Sequence, residues 1–247
     1  MSDWDRDWLG AIATVHAATQ RLFATLGQLG EDDVRAPSLL PGWTRGHVLT
    51  HIARNADALR NLAVWARTGV ETPMYASREA RNAEIEQGAP RALGEHRVDV
   101  TRSAEALDEE LRGLPEDRRD AAVRGILGSE FPAREITWRR LVELEFHHVD
   151  LAAGYGPSAW PPEFLGRALN QVAGSFAARE GMPDVTVRTA DGGREWRLGQ
   201  ATNPGGAATP TVSGPEASLL AWLSGRGLGK DLTVTPSGAL PELPAWM

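Results

Sequence analysis

With 247 residues, 42% of them hydrophobic and 24% charged, the chain has the size and composition of one large folded domain or two modest ones, which excludes a mainly disordered or fibrous protein. Its formal charge of -7, with 26 bases scattered among 33 acids and no basic stripe, excludes a nucleic-acid binder, because phosphate contacts need clustered Arg and Lys. No apolar run approaches the roughly 18–20 residues of a membrane helix, and the opening MSDWDRDWLG has acids where a signal peptide has bases, so the expectation is a cytoplasmic protein with no membrane partner.

In chain order, residues 4–29 set Leu9, Ile12, Thr19, Phe23 and Leu26 near one face at helical spacing, which predicts a first amphipathic helix. The turn-rich APSLLPGWTRG follows, with Thr44 as N-cap of a second helix that runs to about Thr68 and stops at Gly69. VETPMYASREARNAEIEQGAP reads as a loop with a short helix, broken at Gly88 and Pro90, before a long polar helix over about 91–112. A further helix is expected from about Pro132, a good first-turn residue, to Ala153, where Gly154 and Gly156 stop it. Four main helices with a crossover predict a bundle.

After PSAWPP the pattern changes. DVTVRT, REWRLG, PTVSG and DLTVT alternate as short strands do, interrupted by helices over about 162–180 and 216–224. The expected organisation is a helical bundle over 1–156 and a small α+β domain over 157–247, with ATNPGGAATP as a loop in the second. Nine Trp against two Tyr report packing before function.

The chemistry-bearing residues lie on the second and last bundle helices. Glu143 and His147 are four apart, so both project from one helix face and can meet one ion, and His51 in HVLTHIARN supplies a third ligand. Three N/O ligands with a position left open suit catalytic zinc better than a closed structural site. These residues sit in apolar stretches, where two imidazoles and a carboxylate are costly to bury without a partner, and a cation is such a partner. Spacing alone leaves competitors: His47 as a fourth ligand, and Glu145 with His148, three apart, as a rival pair. A surface Glu143–His147 pair with a hydrogen-bonded core His51 is the plain structural alternative. The preferred inward stripe, through 136, 140, 143, 147 and 150 or 151, sets Asp150 one turn beyond His147 as an acceptor that orients its ring.

GWTRGHVLTHIARNADAL, ETPMYASREARNAEIEQGA, EITWRRLVELEFHHVDLAA and WLSGRGLG, in this order, resemble the mycothiol-dependent maleylpyruvate isomerases over nearly the whole chain. The resemblance implies a DinB-like four-helix bundle followed by a sterol-carrier-like domain. It implies that the metal ligands are His51, Glu143 and His147, which demotes His47, Glu145 and His148. It also implies a functional arginine in the C-terminal GRG, here Arg226. Between two glycines its backbone can turn sharply, and its planar fork suits a carboxylate. Asn55, one turn after His51, and Arg81 with Asn82 in the ARNAEI block are expected to line the pocket that takes the thiol cofactor.

The implied reaction is the cis-to-trans isomerisation of maleylpyruvate to fumarylpyruvate in gentisate breakdown, by reversible addition of a thiolate to the alkene. The implied cofactors are a divalent metal, zinc by its ligand types, and mycothiol. A chain with no cysteine is consistent with a thiol that comes from outside it. The expected partners are therefore a small dicarboxylate and a low-molecular-weight thiol, met by a monomer. Two alternatives stand beside this reading: a mycothiol-dependent transferase acting on another electrophile, and a non-enzymatic binding module with structural histidines.

Overall fold

The computed structural model describes residues 4, 7–177, 179–199, 209–236 and 238–246, which form two compact units, Met1–Tyr155 and Gly156–Met247. The first unit is helical apart from a small hairpin, and the second is α+β. In the first, α1 (Trp8–Gln28), α2 (Arg45–Thr68), α3 (Arg78–Gly88), α4 (Leu93–Arg112) and α5 (Glu135–Asp150) are joined by short turns and by the hairpin of β1 (Ala122–Arg124) and β2 (Glu130–Pro132). α2 packs against α4, α5 and α3, and α1 packs against α5 and α4. The core cluster joins Trp8 and Ile12 to Leu59, Leu62, Leu107, Leu111 and Ile136. Each such side chain contributes roughly 1.5–3 kcal/mol by leaving water.

The local rules are visible at α2. Thr44 has extended backbone, and its Oγ1 accepts from His47 N–H at 3.4 Å while the Thr44 N–H donates to His47 Nδ1 at 3.1 Å, a reciprocal cap with an imidazole in the usual Glu position. Gly69 closes the helix in the left-handed region, at φ 74°. Arg45, the first residue of α2, donates Nε to the Leu151 carbonyl and Nη2 to the Ala152 carbonyl, both at 2.7 Å, and pairs with Asp33 at 2.8 Å. The start of α2 is thereby tied to the end of α5, which brings His51 level with His147. A Cβ on Gly46 would stand 2.2 Å from the Ala89 carbonyl, so this glycine permits the end of α3 to lie against α2.

Two expectations are corrected. Leu9 is 66% exposed; the buried stripe of α1 runs through Trp8, Ile12, Val15, Thr19, Leu22 and Leu26, because the bulkier Trp8 takes the inward position. Pro132 does not open a helix: it ends β2, whose Phe131 is buried, and α5 begins only at Glu135. A three-residue strand is too short for its alternation to stand out from a helix start.

In the second unit, α6 (Pro162–Ala177) and α7 (Glu216–Leu223) pack on each other beside a four-stranded sheet of order β4-β3-β5-β6. β3 (Val185–Thr189) pairs antiparallel with β4 (Glu195–Leu198) and parallel with β5 (Thr211–Gly214), and β5 pairs antiparallel with β6 (Thr233–Thr235). Val185, Val187 and Val212 of the sheet and Phe164, Val172 and Phe176 of α6 are all buried. Of the expected ATNPGGAATP loop, residues 201–208 lie outside the described residues. No helix among the described residues is long and apolar enough to cross a membrane.

Candidate metal centre

α2 and α5 turn three ligand-type side chains toward one point. His51 Nε2 lies 2.9 Å from Glu143 Oε2 and 3.0 Å from His147 Nε2, and His147 Nε2 lies 3.2 Å from the same carboxylate oxygen. The two rings stand nearly perpendicular, at 89°, so their Nε2 atoms approach the centre from different directions. A tetrahedral zinc with bonds of about 2.0–2.1 Å separates its ligand atoms by about 3.3–3.4 Å. Outward shifts of a few tenths of an ångström therefore fit a cation to this triangle. His51 and His147 are buried while the Glu143 side chain is 28% exposed, so the open side of the triangle is the Glu143 side.

The electrostatics of His51 and Glu143 agree with that fit, while the proton on His147 competes with a cation. Burial, reinforced by the neighbouring His147, pushes His51 down to about 4, so at neutral pH it is an uncharged donor of a lone pair. Burial opposes ionisation of Glu143, but hydrogen bonds from His147 and His51 outweigh it and hold the carboxyl well below its usual range. Burial also opposes a charge on His147, but hydrogen bonds to Asp150 and Glu143 raise it above the ordinary value. Asp150 is fully buried, and its Oδ2 lies 2.8 Å from His147 Nδ1, which fixes the ring and turns Nε2 to the triangle.

Arg81, on α3, donates Nη2 to His51 Nδ1 at 3.1 Å and Nη1 to Asn82 Oδ1 at 3.0 Å. A guanidinium only donates, so here His51 Nδ1 accepts and the proton of the neutral ring sits on Nε2, facing Glu143. Ligation through Nε2 requires the opposite tautomer, and the guanidinium must then turn away from His51. Trp43 lies edge-on to His51, with ring centroids 5.7 Å apart, and stacks on His47. Sequence reasoning assigned no role to Trp43, although it stands in the quoted GWTRGH block, nor to Tyr75, whose hydroxyl burial pushes up to about 12 beside Arg81 and Glu143.

The other sequence candidates lie elsewhere. His47 is engaged with Thr44 and, at 3.4 Å, with Glu86. Glu145 and His148 point to α1 instead: Arg21 and Tyr155 both donate to Glu145, and His148 bonds Thr25 at 2.7 Å and stacks on Tyr155. Asn55 is buried on α2, where its Oδ1 accepts from Arg140 at 2.9 Å; burial pushes the Arg140 guanidinium down to about 10. Arg226 belongs to the second unit, just past α7, where its Nη1 donates to the Ser224 carbonyl at 3.1 Å. With Ser158, Ser218 and Lys230 it lines a cavity of about 350 Å³.

The family model described as the mycothiol maleylpyruvate isomerase N-terminal domain matches residues 15–152, and that described as the MDMPI C-terminal domain matches residues 159–245. Among solved structures, a mycothiol-dependent maleylpyruvate isomerase superposes with a TM-score of 0.91 at 29% identity, covering 100% of both chains. A histidine-to-alanine variant of a mycothiol-dependent maleylpyruvate isomerase does so with a TM-score of 0.91 at 28% identity and the same coverage. No curated protein matches the chain. With family models over both units and full-length structural likeness, the chain belongs to the mycothiol-dependent maleylpyruvate isomerase family.

Proposed function

We propose that this protein is a cis–trans isomerase that converts maleylpyruvate to fumarylpyruvate with mycothiol and a divalent cation, zinc by preference, held by His51, Glu143 and His147. The observation that carries the reading is the convergence of Nε2, Oε2 and Nε2 within 3.2 Å of one another, with an open side at Glu143, in a chain of this family. The cation would keep the thiol as a thiolate at neutral pH, and thiolate addition turns the alkene into a single bond free to rotate. The chain's own part is to hold and orient. Asp150 keeps the His147 proton on Nδ1, and burial keeps His51 neutral. Arg81, once turned from His51, supplies a cation for a substrate carboxylate, and Arg226 is the functional arginine of the second unit.

The finer architecture belongs to the same proposal. The four packed helices of the first unit make a DinB-like bundle and the second unit is a sterol-carrier-like domain, with boundaries at 156 and 157, in a cytoplasmic monomer. The test is spectroscopic: zinc-loaded protein with mycothiol shifts the maleylpyruvate absorbance to that of fumarylpyruvate. An unchanged spectrum, with the metal bound and the thiol reduced, removes the isomerase reading. Arg226→Ala should keep its zinc and lose turnover by roughly 10²-fold or more, as expected for a lost bidentate contact that positions substrate.

A further inference from the structure

Asn55 stands one helical turn after His51 on α2, and its amide is held from behind. Arg140, one turn before Glu143 on α5, is 1% exposed and donates Nη1 to Asn55 Oδ1 at 2.9 Å and to the Ile52 carbonyl at 2.8 Å. Among the described residues no carboxylate forms an ion pair with this guanidinium, and its Nη2 has no hydrogen-bond partner. A buried cation left in this way is costly, and its field falls on the groups around it. The Asn55 amide is the nearest polar side chain that it touches.

That contact decides which end of the amide faces where. An oxygen that accepts from Arg140 leaves the Nδ2 hydrogens directed away from it, and the neighbouring cation polarises them into better donors. Asn55 Nδ2 makes no hydrogen bond among the described residues and, unlike Arg140 Nη2, is not sealed from solvent. A structural asparagine in a core uses both ends of its amide. This one is fixed at the oxygen and open at the nitrogen, on the helix that carries His51.

Resting on the isomerase reading above, we propose that Asn55 is a catalytic residue whose Nδ2 donates to the substrate ketone oxygen as it becomes an enolate, and that Arg140 is the positioning residue that fixes the amide. The thiolate sulfur bonds to the alkene carbon β to the ketone. The alkene π pair forms a double bond to the ketone carbon, and the carbonyl π pair moves onto oxygen. After rotation the pairs return, the alkene re-forms in the trans sense and the sulfur leaves as thiolate, so no net proton or electron is consumed. Negative charge resides on that oxygen only between addition and expulsion, and a donor that strengthens there lowers both barriers.

The test compares Asn55→Asp with Asn55→Ala. Aspartate still accepts from Arg140 but has no hydrogen to give, whereas alanine removes both contacts. Both should retain zinc, with kcat on maleylpyruvate and mycothiol lowered about 10²–10³-fold and KM changed less than roughly threefold. A second readout needs no turnover: acetylpyruvate, which carries the ketones without the alkene, is titrated into zinc-loaded protein by calorimetry. It should bind roughly tenfold more weakly to both variants. Wild-type kcat or wild-type acetylpyruvate affinity in the two variants overturns the donor role. If the wild type fails to isomerise maleylpyruvate, the isomerase reading falls and the acetylpyruvate titration alone decides Asn55. Arg140→Lys, which keeps a donor to Oδ1, should retain more kcat than Arg140→Met; equal losses at equal zinc content overturn the positioning role.

Discussion

The two faces of α5 carry the same residue types at nearly the same spacing and do opposite things. On one face Glu143 and His147 meet a second imidazole, His51 of α2, and three ligand-type atoms converge with one side open. On the other, Glu145 and His148 meet α1, which brings Arg21 and Thr25, while Tyr155 closes the group from beyond the helix. The second face is satisfied by the protein itself. On the first face the three ligand-type atoms are engaged with one another, an arrangement that a cation would complete. Ligand chemistry is therefore decided by what stands opposite a helix face rather than by the pattern on that face.

The largest expected effect breaks the first face alone. His147→Ala or His51→Ala should abolish stoichiometric zinc in the purified protein and lower turnover by at least about 10³-fold, since two remaining ligands hold zinc poorly. Glu145→Gln should keep its zinc. Metal analysis of the three variants checks the contrast, and zinc loss in Glu145→Gln with zinc retained in His147→Ala would reverse the assignment of the faces.

A smaller effect sharpens the boundary between ligand and support. Asp150→Asn leaves all three ligands but weakens the hold on His147 Nδ1, and zinc affinity should fall by about 10–100-fold in competition with a chromophoric chelator. The His147 proton competes with the cation, and Asp150 and Glu143 strengthen that proton's hold, so zinc affinity should rise with pH through the range above 6.5. In Asp150→Asn that rise should begin at lower pH.

On the second face the expected change is in stability. Glu145→Gln removes the charge that Arg21 pairs with; the Glu145 side chain is 1% exposed but Arg21 is 36% exposed, so the cost is about 2 kcal/mol, below that of a fully buried pair. Urea unfolding measures it.

Much of this contrast was legible in the sequence, and the part that was not has a physical reason. Helical spacing put Glu143 and His147 on one side, and Thr44 and Gly69 marked the ends of α2 because capping is local chemistry. Spacing left Glu145 and His148 in contention, since Arg21 and Tyr155 are remote in sequence and only packing brings them there. The stripe through 140 and 143 included Arg140, yet a lone arginine in an apolar stretch gives no sign that its guanidinium will end on Asn55. β1 and β2 went unread because three residues of alternation fall below what periodicity resolves.

The smallest effect distinguishes the faces by acid. Burial, with Arg21 adding to it, pushes His148 down to about 4 on the satisfied face. An unfolded histidine titrates near 6.5, so between about 6.5 and 4 the unfolded chain binds a proton that the folded chain refuses. The depressed histidine therefore costs no stability above about 6.5, and stability is lost progressively as pH falls from there toward 4, by roughly 2–3 kcal/mol in all. His51 loses stability over the same window in chelator-treated protein, but zinc bound at His51 opposes its protonation, whereas no cation reaches His148. Urea titrations at pH 7.5 and 5 should show the acid loss reduced in His148→Gln with or without zinc. Reduction of the acid loss by zinc, on top of the His148→Gln effect and additive with it, is what two independent faces require; a non-additive pair would mean that α5 couples them.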